Sequence, residues 1–189
     1  MEAGVARVGT ITIGLDAPGK GVTGWTLAAV EGPDVPGKGG AGEVDGLATT
    51  FVEDPPAEAG SDAAHPNGVV SLDHVVVTTP HLEATVSRLG RFGLVERRRR
   101  DAGRGPRPTT QVFFRLGEAI LELVGAPDSD EEGPCQFWGL AFTVSDMDLT
   151  VAALGDKLRE VKAAVQPGRF IASLDWSAGS GVPIAFMTS

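Results

Sequence analysis

Hydrophobic positions in the last two thirds of the chain trace a strand followed by a helix. Residues 72–78 are mostly apolar and β-branched, which predicts a buried strand. Thr79 and Pro80 suit the N-cap and first position of a helix, and Gly90 suits its end. The predicted buried face of this helix carries apolar residues about one and two turns apart, namely Leu82, Val86 and Leu89.

The same pattern returns 65 residues further along the chain. Residues 140–144 form a second apolar strand, Ser145 suits the N-cap of a second helix, and Gly155 suits its end. The predicted buried face of this helix carries Met147, Val151 and Leu154. Several residues are identical at this offset: Thr78 and Thr143, Thr85 and Thr150, Val86 and Val151, Leu89-Gly90 and Leu154-Gly155. A shared offset with matched helix ends indicates an internal repeat.

Three further strands follow each predicted helix. They cover residues 94–99, 110–116 and 119–124 in the first copy, and 162–165, 169–174 and 182–187 in the second. Gly117 and Glu118 suit a tight turn between the last two strands of the first copy. Each copy therefore has the order βαβββ, and the two modules span about 69–127 and 134–189. Two such modules would pair their sheets around a cleft.

The first 68 residues differ in composition from the rest of the chain. Residues 8–13 and 22–30 are rich in β-forming side chains, and the turn-forming residues 16–21 lie between them, which predicts a hairpin. Residues 31–68 are rich in Gly and Pro, apart from a short predicted strand at 47–52. We therefore expect residues 1–68 to be an N-terminal β-hairpin and a Gly/Pro-rich connection packed outside the domain of residues 69–189. The hairpin could instead be the remnant of a third module, or it could fill a dimer interface.

Composition and charge exclude several classes of function. The chain of 189 residues has 42% hydrophobic residues, which is typical of a globular protein. Its net charge of −9 argues against nucleic acid or an anionic membrane as the main partner. No apolar run is long enough to span a bilayer, and no signal peptide is evident. The single cysteine, Cys135, excludes an intramolecular disulfide and favours the cytoplasm. Abundant Arg, Ala and Gly are typical of a GC-rich, bacterial-type genome.

Four short segments resemble one known family. Residues 72–77 are similar to its opening strand and residues 121–123 to the closing strand of its first module, while 139–144 and 181–186 match the corresponding strands of its second module. The family is the vicinal oxygen chelate superfamily, which includes glyoxalase I, extradiol dioxygenases, methylmalonyl-CoA epimerase and bleomycin-resistance proteins. The resemblance covers residues 69–189. It implies an α+β fold of two tandem βαβββ modules forming a cupped mixed sheet, and often a homodimer.

The resemblance also implies where a metal ion would bind. In metal-dependent members each module supplies two ligands, and His74 and Glu122 occupy the two positions of the first module. The second module offers Gly139 at the first position and Ala185, or Phe186 if shifted by one, at the other. Other polar residues that could complete the site are Cys135, Gln136, Asp175, His65 and His81. We therefore expect a degenerate metal site and no cofactor, with a divalent ion (Zn, Ni, Mn or Fe) as the alternative.

Two functions follow from this site. The leading hypothesis is a glyoxalase-like protein that binds a small organic molecule in the cleft, where His74 and Glu122 are pocket residues or a catalytic pair that shuttles a proton. The alternative is a metal-dependent lyase, isomerase or dioxygenase, which takes its remaining ligands from unmatched positions or from a dimer partner. A pure interaction module would instead show a large exposed apolar patch.

Candidate ligand-binding residues lie on the predicted strands. Arg97 and Arg99 belong to a run of four arginines and could clamp a carboxylate or phosphate, as in an organic acid or acyl-CoA. The alternative is a solvated strand end. Aromatic candidates for the lining of the pocket are Phe114, Trp138 and Phe186, and the alternative for each is the core.

Overall fold

The structure is a computed structural model that describes residues 5–8, 11–14, 21–36, 39–53, 65–102, 108–127, 129 and 132–189. It divides into two compact units. Unit 1 comprises Met1–Gly21, Glu58–His74 and Gly139–Ser189, and unit 2 comprises Val22–Ala57 and Val75–Trp138. Each unit is described by itself below.

The described residues form strands and helices in the following order. The strands are β1 (Val5–Val8), β2 (Ile11–Gly14), β3 (Trp25–Ala28), β4 (Ala41–Val44), β5 (Leu47–Val52), β6 (Val69–Thr78), β7 (Glu96–Asp101), β8 (Thr110–Leu116), β9 (Ala119–Gly125), β10 (Gln136–Val144), β11 (Lys162–Ala163), β12 (Phe170–Ser173) and β13 (Ile184–Thr188). Helix α1 (Leu82–Arg91) follows β6, and helix α2 (Met147–Leu154) follows β10. Each of these strand–helix pairs is followed by three strands, so the predicted α+β fold of two βαβββ modules is confirmed.

The first module provides most of unit 2, where the strand order is β6-β9-β8-β7. Strands β7, β8 and β9 pair antiparallel, and their two faces differ. The face toward α1 is the core, and its buried residues include Val112, Phe114, Leu121 and Leu123 of the sheet and Leu82 and Leu89 of the helix. The opposite face carries mostly half-buried and exposed side chains, and the buried Glu122 lies on it.

The second module provides most of unit 1, where the strand order is β11-β12-β13-β10-β6. Strand β10 pairs parallel with β13, and Phe142 stacks on its partner Phe186 at 6.2 Å between ring centroids. The internal repeat is visible in the two helices. Thr85 and Thr150 are both fully buried, and their hydroxyls lie 3.0 and 3.3 Å from the carbonyl oxygen four residues earlier.

The N-terminal region pairs differently from the prediction. Strand β1 forms its hairpin with β2, in unit 1, whereas β3 pairs parallel with β5 in unit 2. The predicted hairpin between residues 8–13 and 22–30 is therefore wrong, although an N-terminal hairpin exists. Trp25 lies opposite Thr49 in this pairing, and its Nε1 donates a hydrogen bond of 2.7 Å to the Thr49 hydroxyl, which holds β3 beside β5. Residues 16–20 of the predicted turn at 16–21, and residues 37–38 and 54–64 of the predicted connection, lie outside the described residues.

Within unit 2, the sheet β3-β5-β4 packs on the first module just after α1 and on the start of β10. Phe51 stacks on Phe92 at 5.5 Å between ring centroids, and Trp25 meets Phe137 edge-on at 5.3 Å. At the turn between β4 and β5, the carbonyl of Asp45 accepts a hydrogen bond of 3.0 Å from the Cys135 amide. Phe51, on the short strand predicted within the connection, is 3% exposed and thus part of the unit 2 core.

Helix α1 begins and ends later than the sequence predicts. Its N-cap is His81, and the predicted cap Thr79 instead accepts a hydrogen bond of 3.0 Å from the His81 amide, which places a short turn before the helix. The helix continues past Gly90 to Arg91, and Gly93 then adopts a positive φ of 83°. Gly93, and not Gly90, adopts the left-handed conformation that ends the helix, so the chain turns there.

Helix α2 shows a similar shift of its start. Its N-cap is Asp146 rather than Ser145, because the Asp146 carboxylate accepts a hydrogen bond of 2.8 Å from the Asp148 amide. Gly155 ends the helix as predicted. Val151 is 41% exposed, so its predicted place on the buried face is wrong, whereas Met147 is buried as predicted, together with Thr150. No helix in the described ranges is long and apolar enough to cross a membrane.

Candidate functional site

In unit 1, the carboxylate of Asp73 is the centre of a polar cluster on β6. Its Oδ1 lies 2.8 Å from Nδ1 of His74, and its Oδ2 accepts hydrogen bonds from Nη2 of Arg169 at 2.8 Å and from Oγ1 of Thr143 at 3.3 Å. The Asp73, His74 and Arg169 side chains are only 16–19% exposed. Asp73 is thus a half-buried anion with three donors.

These donors determine the charge of Asp73 and the tautomer of His74. The hydrogen bond from His74, and then the Arg169 guanidinium, hold the pKa of Asp73 well below its ordinary value of 3.8, despite the opposing effect of burial. An ionised carboxylate only accepts hydrogen bonds, so Nδ1 of His74 carries the hydrogen. In the neutral ring, Nε2 therefore has the lone pair, which can accept a proton or coordinate a metal ion.

Arg169 connects this cluster to the C-terminal strand. Besides Asp73, its guanidinium donates hydrogen bonds to the carbonyl of Thr188 and to the side chain of Gln166. The Arg169 side chain therefore ties β6 to the end of β13 within unit 1. We assign it a structural role.

In unit 2, a second polar chain crosses three neighbouring strands. Nε and Nη2 of Arg100, on β7, donate hydrogen bonds to Oε1 of Gln111, on β8, with Nε at 2.8 Å. Nε2 of Gln111 donates to Oε1 of Glu122, on β9. Glu122 is 9% exposed, so this hydrogen bond satisfies a buried carboxylate.

The sheet face that carries this chain, called the Glu122 face below, also carries apolar side chains. Strand pairing places Phe113 opposite Glu122, and the guanidinium carbon of Arg100 lies 5.8 Å from the centre of the Phe113 ring. Phe113, Ile120 and Val124 on this face are half-buried. The Glu122 face therefore joins a cation, an amide and a carboxylate to an apolar surface, as binding sites for small organic molecules do.

The structure places the predicted pair His74 and Glu122 in different units. Each makes the hydrogen bonds described above in its own unit. The pairing of these two side chains stays a prediction.

Of the predicted ligand-binding arginines, Arg99 lies on the helix side of the sheet, where it forms ion pairs with Glu83 and Glu96. A β-bulge between Glu96 and Arg98 shifts the register of β7 by one residue. This shift puts Arg98 opposite Phe113, and Arg100 opposite Gln111, on the Glu122 face. Arg97 lies in the bulge and is exposed.

The predicted aromatic residues are also separated. Phe114 is 1% exposed in the core beneath α1, and Phe186 is 5% exposed in the core of unit 1. Their places in the two cores correspond to the alternative that the sequence left open. Trp138 is 54% exposed at the end of unit 2.

At Gly139, one of the two metal positions predicted for the second module, close packing excludes a side chain. A Cβ atom on Gly139 would lie 2.8 Å from the carbonyl oxygen of Pro183, so no side chain fits there without a shift of the backbone. Ala185 has no donor atom. Among the described residues, no three His, Cys, Asp or Glu side chains come together as a metal site requires. The donor set present in unit 1 therefore does not fit the ion that the superfamily implies.

The other residues predicted as possible metal ligands lie at separate places in the structure. The Cys135 thiol donates to Oδ2 of Asp45 at 3.2 Å, and the Asp175 carboxylate accepts from Arg159 at 3.2 Å. Gln136 is exposed on β10, and His65 precedes β6. His81 is exposed at the start of α1, where it lines a surface pocket of about 500 Å³.

Four site residues were missed in the sequence: Asp73, Arg169, Arg100 and Gln111. The tight turn at Gly117 fixes the register of β8 and β9, and from this register Gln111 could have been placed on the face of Glu122. No sequence signal marks the bulge that places Arg100, or the distant partner of Asp73.

Comparisons with known proteins identify the fold. No protein-family model and no curated protein matches the chain. Among solved structures, methylmalonyl-CoA epimerase from Mycobacterium tuberculosis matches with 16% identity and a TM-score of 0.51, covering 67% of this chain and 93% of the epimerase. A variant of 4-hydroxymandelate synthase from Streptomyces coelicolor matches with 17% identity and a TM-score of 0.59, covering 97% of this chain and 79% of the synthase. Both proteins are members of the vicinal oxygen chelate superfamily, and the chain has the fold of that superfamily.

Proposed function

We propose that the protein binds a small organic anion on the Glu122 face of unit 2, as a glyoxalase-like binding protein with a degenerate metal site. The observation that carries this proposal is the hydrogen-bonded chain Arg100–Gln111–Glu122 on a half-buried sheet face. Polar side chains held in fixed orientations beside apolar ones are what a ligand site requires.

The charge of Arg100 favours an anion as the ligand. Within the described part of the chain Arg100 forms no ion pair, because its two hydrogen bonds go to the neutral amide of Gln111. In contrast, Arg99 on the opposite side is neutralised by Glu83 and Glu96. A half-buried arginine without a carboxylate partner is suited to bind a carboxylate or phosphate.

The names of the matched structures are consistent with an organic acid. The epimerase is named for methylmalonyl-CoA and the synthase for 4-hydroxymandelate, and both of these molecules carry a carboxylate. Phe113, beside Arg100, offers a surface for the apolar part of such a molecule. A cleft between the two modules, as a place for the ligand, stays a prediction from the sequence, as does a homodimer.

One observation favours an enzyme as the second candidate. Asp73 fixes the tautomer of His74, so that Nε2 can act as a base or as a metal ligand. In that case His74 and Glu122 would be catalytic residues of a lyase, isomerase or dioxygenase. The missing ligands at Gly139 and Ala185 would have to come from elsewhere, such as a dimer partner.

Metal content separates the two candidates. We expect tag-free protein to contain well under one equivalent of metal, and its melting temperature to be unchanged by EDTA or by Zn, Ni, Mn or Fe(II). An ion that binds the folded state alone would raise the melting temperature by mass action. Near-stoichiometric metal, with a lower melting temperature after chelation, would contradict a degenerate site and favour the enzyme candidate.

A binding screen tests the anion site directly. We expect members of a panel of aliphatic acids, aromatic acids and acyl-CoA thioesters to raise the melting temperature of the wild type. Arg100→Gln should weaken this binding about tenfold or more, because it removes a charged hydrogen bond. Arg99→Gln is the matched control, since Arg99 lies on the other face of the same strand. The reverse result would favour the arginines predicted from the sequence, and no binding by any panel member would contradict the proposal.

A further inference from the structure

We infer that the ligand of the Glu122 face is a dianion, of which Arg100 binds one anionic group and Arg98 the other. The body of the ligand between these groups is apolar and packs on Phe113. This inference rests on the proposed function and specifies its ligand class.

A β-bulge near the start of β7 places two arginines on one face of the sheet. Beyond the bulge, Arg98 lies opposite Phe113 and Arg100 lies opposite Gln111. Side chains alternate along a strand, so both arginines lie on the Glu122 face, whereas Arg99, between them, lies on the other. The Cα atoms of Arg98 and Arg100 are therefore separated by the rise of two strand residues, roughly 6.7 Å.

Neither of these arginines is neutralised by a carboxylate within the part of the chain that the structure describes. Arg98 is exposed and forms no ion pair there. Arg100 is half-buried, and two of its N–H groups donate to the neutral amide of Gln111. Its remaining N–H groups can bind a carboxylate or phosphate. Arg99, in contrast, is held by two carboxylates on the other face.

Phe113 provides an apolar surface beside both cations. It lies between Arg98 and Glu122 on the neighbouring strands, and the guanidinium carbon of Arg100 lies 5.8 Å from the centre of its half-buried ring. An apolar or aromatic body can pack on this ring within reach of both guanidinium groups. Glu122 is buried on the β9 side of the ring, away from β7, with a hydrogen bond of its own. The ligand therefore needs no contact with the Glu122 carboxylate.

Two cations beside one apolar surface define a ligand class. A monoanion engages only Arg100, the half-buried arginine. A dianion whose anionic groups stand on either side of an apolar body engages Arg98 as well. Because Arg98 is exposed, water screens its ion pair, and the second anionic group adds a modest gain in affinity.

Terephthalate and 4-methylbenzoate are the probes that test this class. They have nearly the same shape, since a methyl group in the second replaces one carboxylate of the first. The carboxylates of terephthalate stand at opposite ends of a rigid ring, so they can reach two cations spaced along a strand. We expect calorimetric titration of the wild type to show about fivefold tighter binding of terephthalate, the upper range of one exposed ion pair. Equal affinities for the two probes would overturn the inference.

Arg98→Gln removes the second cation from the face. In this variant the affinity for terephthalate should fall more than that for 4-methylbenzoate. The preference should then drop to the statistical advantage of a ligand with two identical ends. Since Arg98 is exposed, the melting temperature without ligand should stay close to that of the wild type. An unchanged preference in Arg98→Gln would overturn the inference.

Arg115→Gln is the matched control. Arg115 is also an exposed arginine of the Glu122 face, and it lies opposite Ile120 on β9. Its removal lowers the net charge as much as Arg98→Gln does, but the preference for terephthalate should remain. An equal loss in the two variants would mean that the probes respond to overall charge, which would overturn the contact with Arg98.

Two results separate the inference from the proposed function. If the wild type binds 4-methylbenzoate, and Arg100→Gln weakens that binding, but terephthalate binds no more tightly, the inference is wrong and the proposed function stands. If the wild type binds neither probe nor any acid of the panel, the proposed function is wrong and the ligand class falls with it.

Discussion

Nδ1 of His74 lies 2.8 Å from Oδ1 of Asp73, its neighbour in the sequence. The pair stands on β6, the first strand of the first module. The orientation of the imidazole is therefore fixed by the preceding residue and by Arg169, which binds the other oxygen of the same carboxylate. This arrangement puts the lone pair of the neutral imidazole on Nε2. The two metal positions predicted for the second module carry Gly139 and Ala185, which have no ligand atoms in their side chains.

The Asp73 carboxylate makes the free energy of unfolding depend on pH in the acid range. Its folded pKa lies below the ordinary value of 3.8, so its contribution is present at neutral pH and is lost as the pH falls below about 4. We expect Asp73→Asn to lower the stability at pH 7 by about 1.5–3 kcal/mol and to reduce the loss of stability on acidification. Thermal unfolding between pH 2.5 and 7 measures both effects.

Asp156 provides the control for this variant, because its side chain is exposed on the 3₁₀ helix Gly155–Lys157. Asp156→Asn should leave the melting temperature at every pH close to that of the wild type. Equal effects of the two variants would mean that Asp73 contributes no more than a surface carboxylate.

Gly139 is required by close packing. A Cβ atom there would meet the Pro183 carbonyl oxygen at 2.8 Å, so we expect Gly139→Ala to destabilise the protein by about 1–3 kcal/mol. Gly42→Ala, on a strand where a Cβ would meet nothing within 4 Å, should cost little. Urea unfolding of both variants measures the difference. A stable, fully folded Gly139→His variant that binds Zn would contradict the steric argument.

The buried side chain of Thr85 forms a hydrogen bond with the turn between β4 and β5. It donates to Oδ2 of Asp45, and the hydroxyl of Thr79 lies 2.7 Å away. Thr85→Val has the same shape but leaves these groups without a partner, so a loss of about 1–3 kcal/mol is expected. Thr85→Ser should recover most of it. Thr50→Val, at an exposed position on β5, is the control for the change of residue type.

Cys135 should resist alkylation in the folded protein. Its side chain is 3% exposed, and burial raises the pKa of the thiol above its ordinary value of 9.0. Labelling with iodoacetamide at pH 8 should therefore be slow in buffer and fast in denaturant. Asp45→Ala should accelerate labelling in buffer, because it removes the turn contact that covers the thiol. Equal rates in buffer and denaturant would show that the thiol is accessible.

The sequence by itself determined the architecture of the two modules. Apolar runs, helix-ending glycines and the turn at Gly117 are local signals, and a fixed offset of 65 residues repeats them. The partner of β3 depended on contacts between distant segments, and the sequence pattern pointed to a neighbour that β3 does not pair with. The helix starts were displaced because Thr79 and Ser145 formed other hydrogen bonds.

Which side chains come together in the candidate site depended on the tertiary structure alone. One β-bulge after Glu96 exchanges the two faces of β7, and side chains alternate along a strand, so the bulge brings Arg100 rather than Arg99 to Gln111. Arg169 reaches Asp73 across 96 residues of sequence, a separation at which no local pattern operates. Local propensity fixes strands, helices and turns, whereas register and long-range pairing fix which side chains share a face.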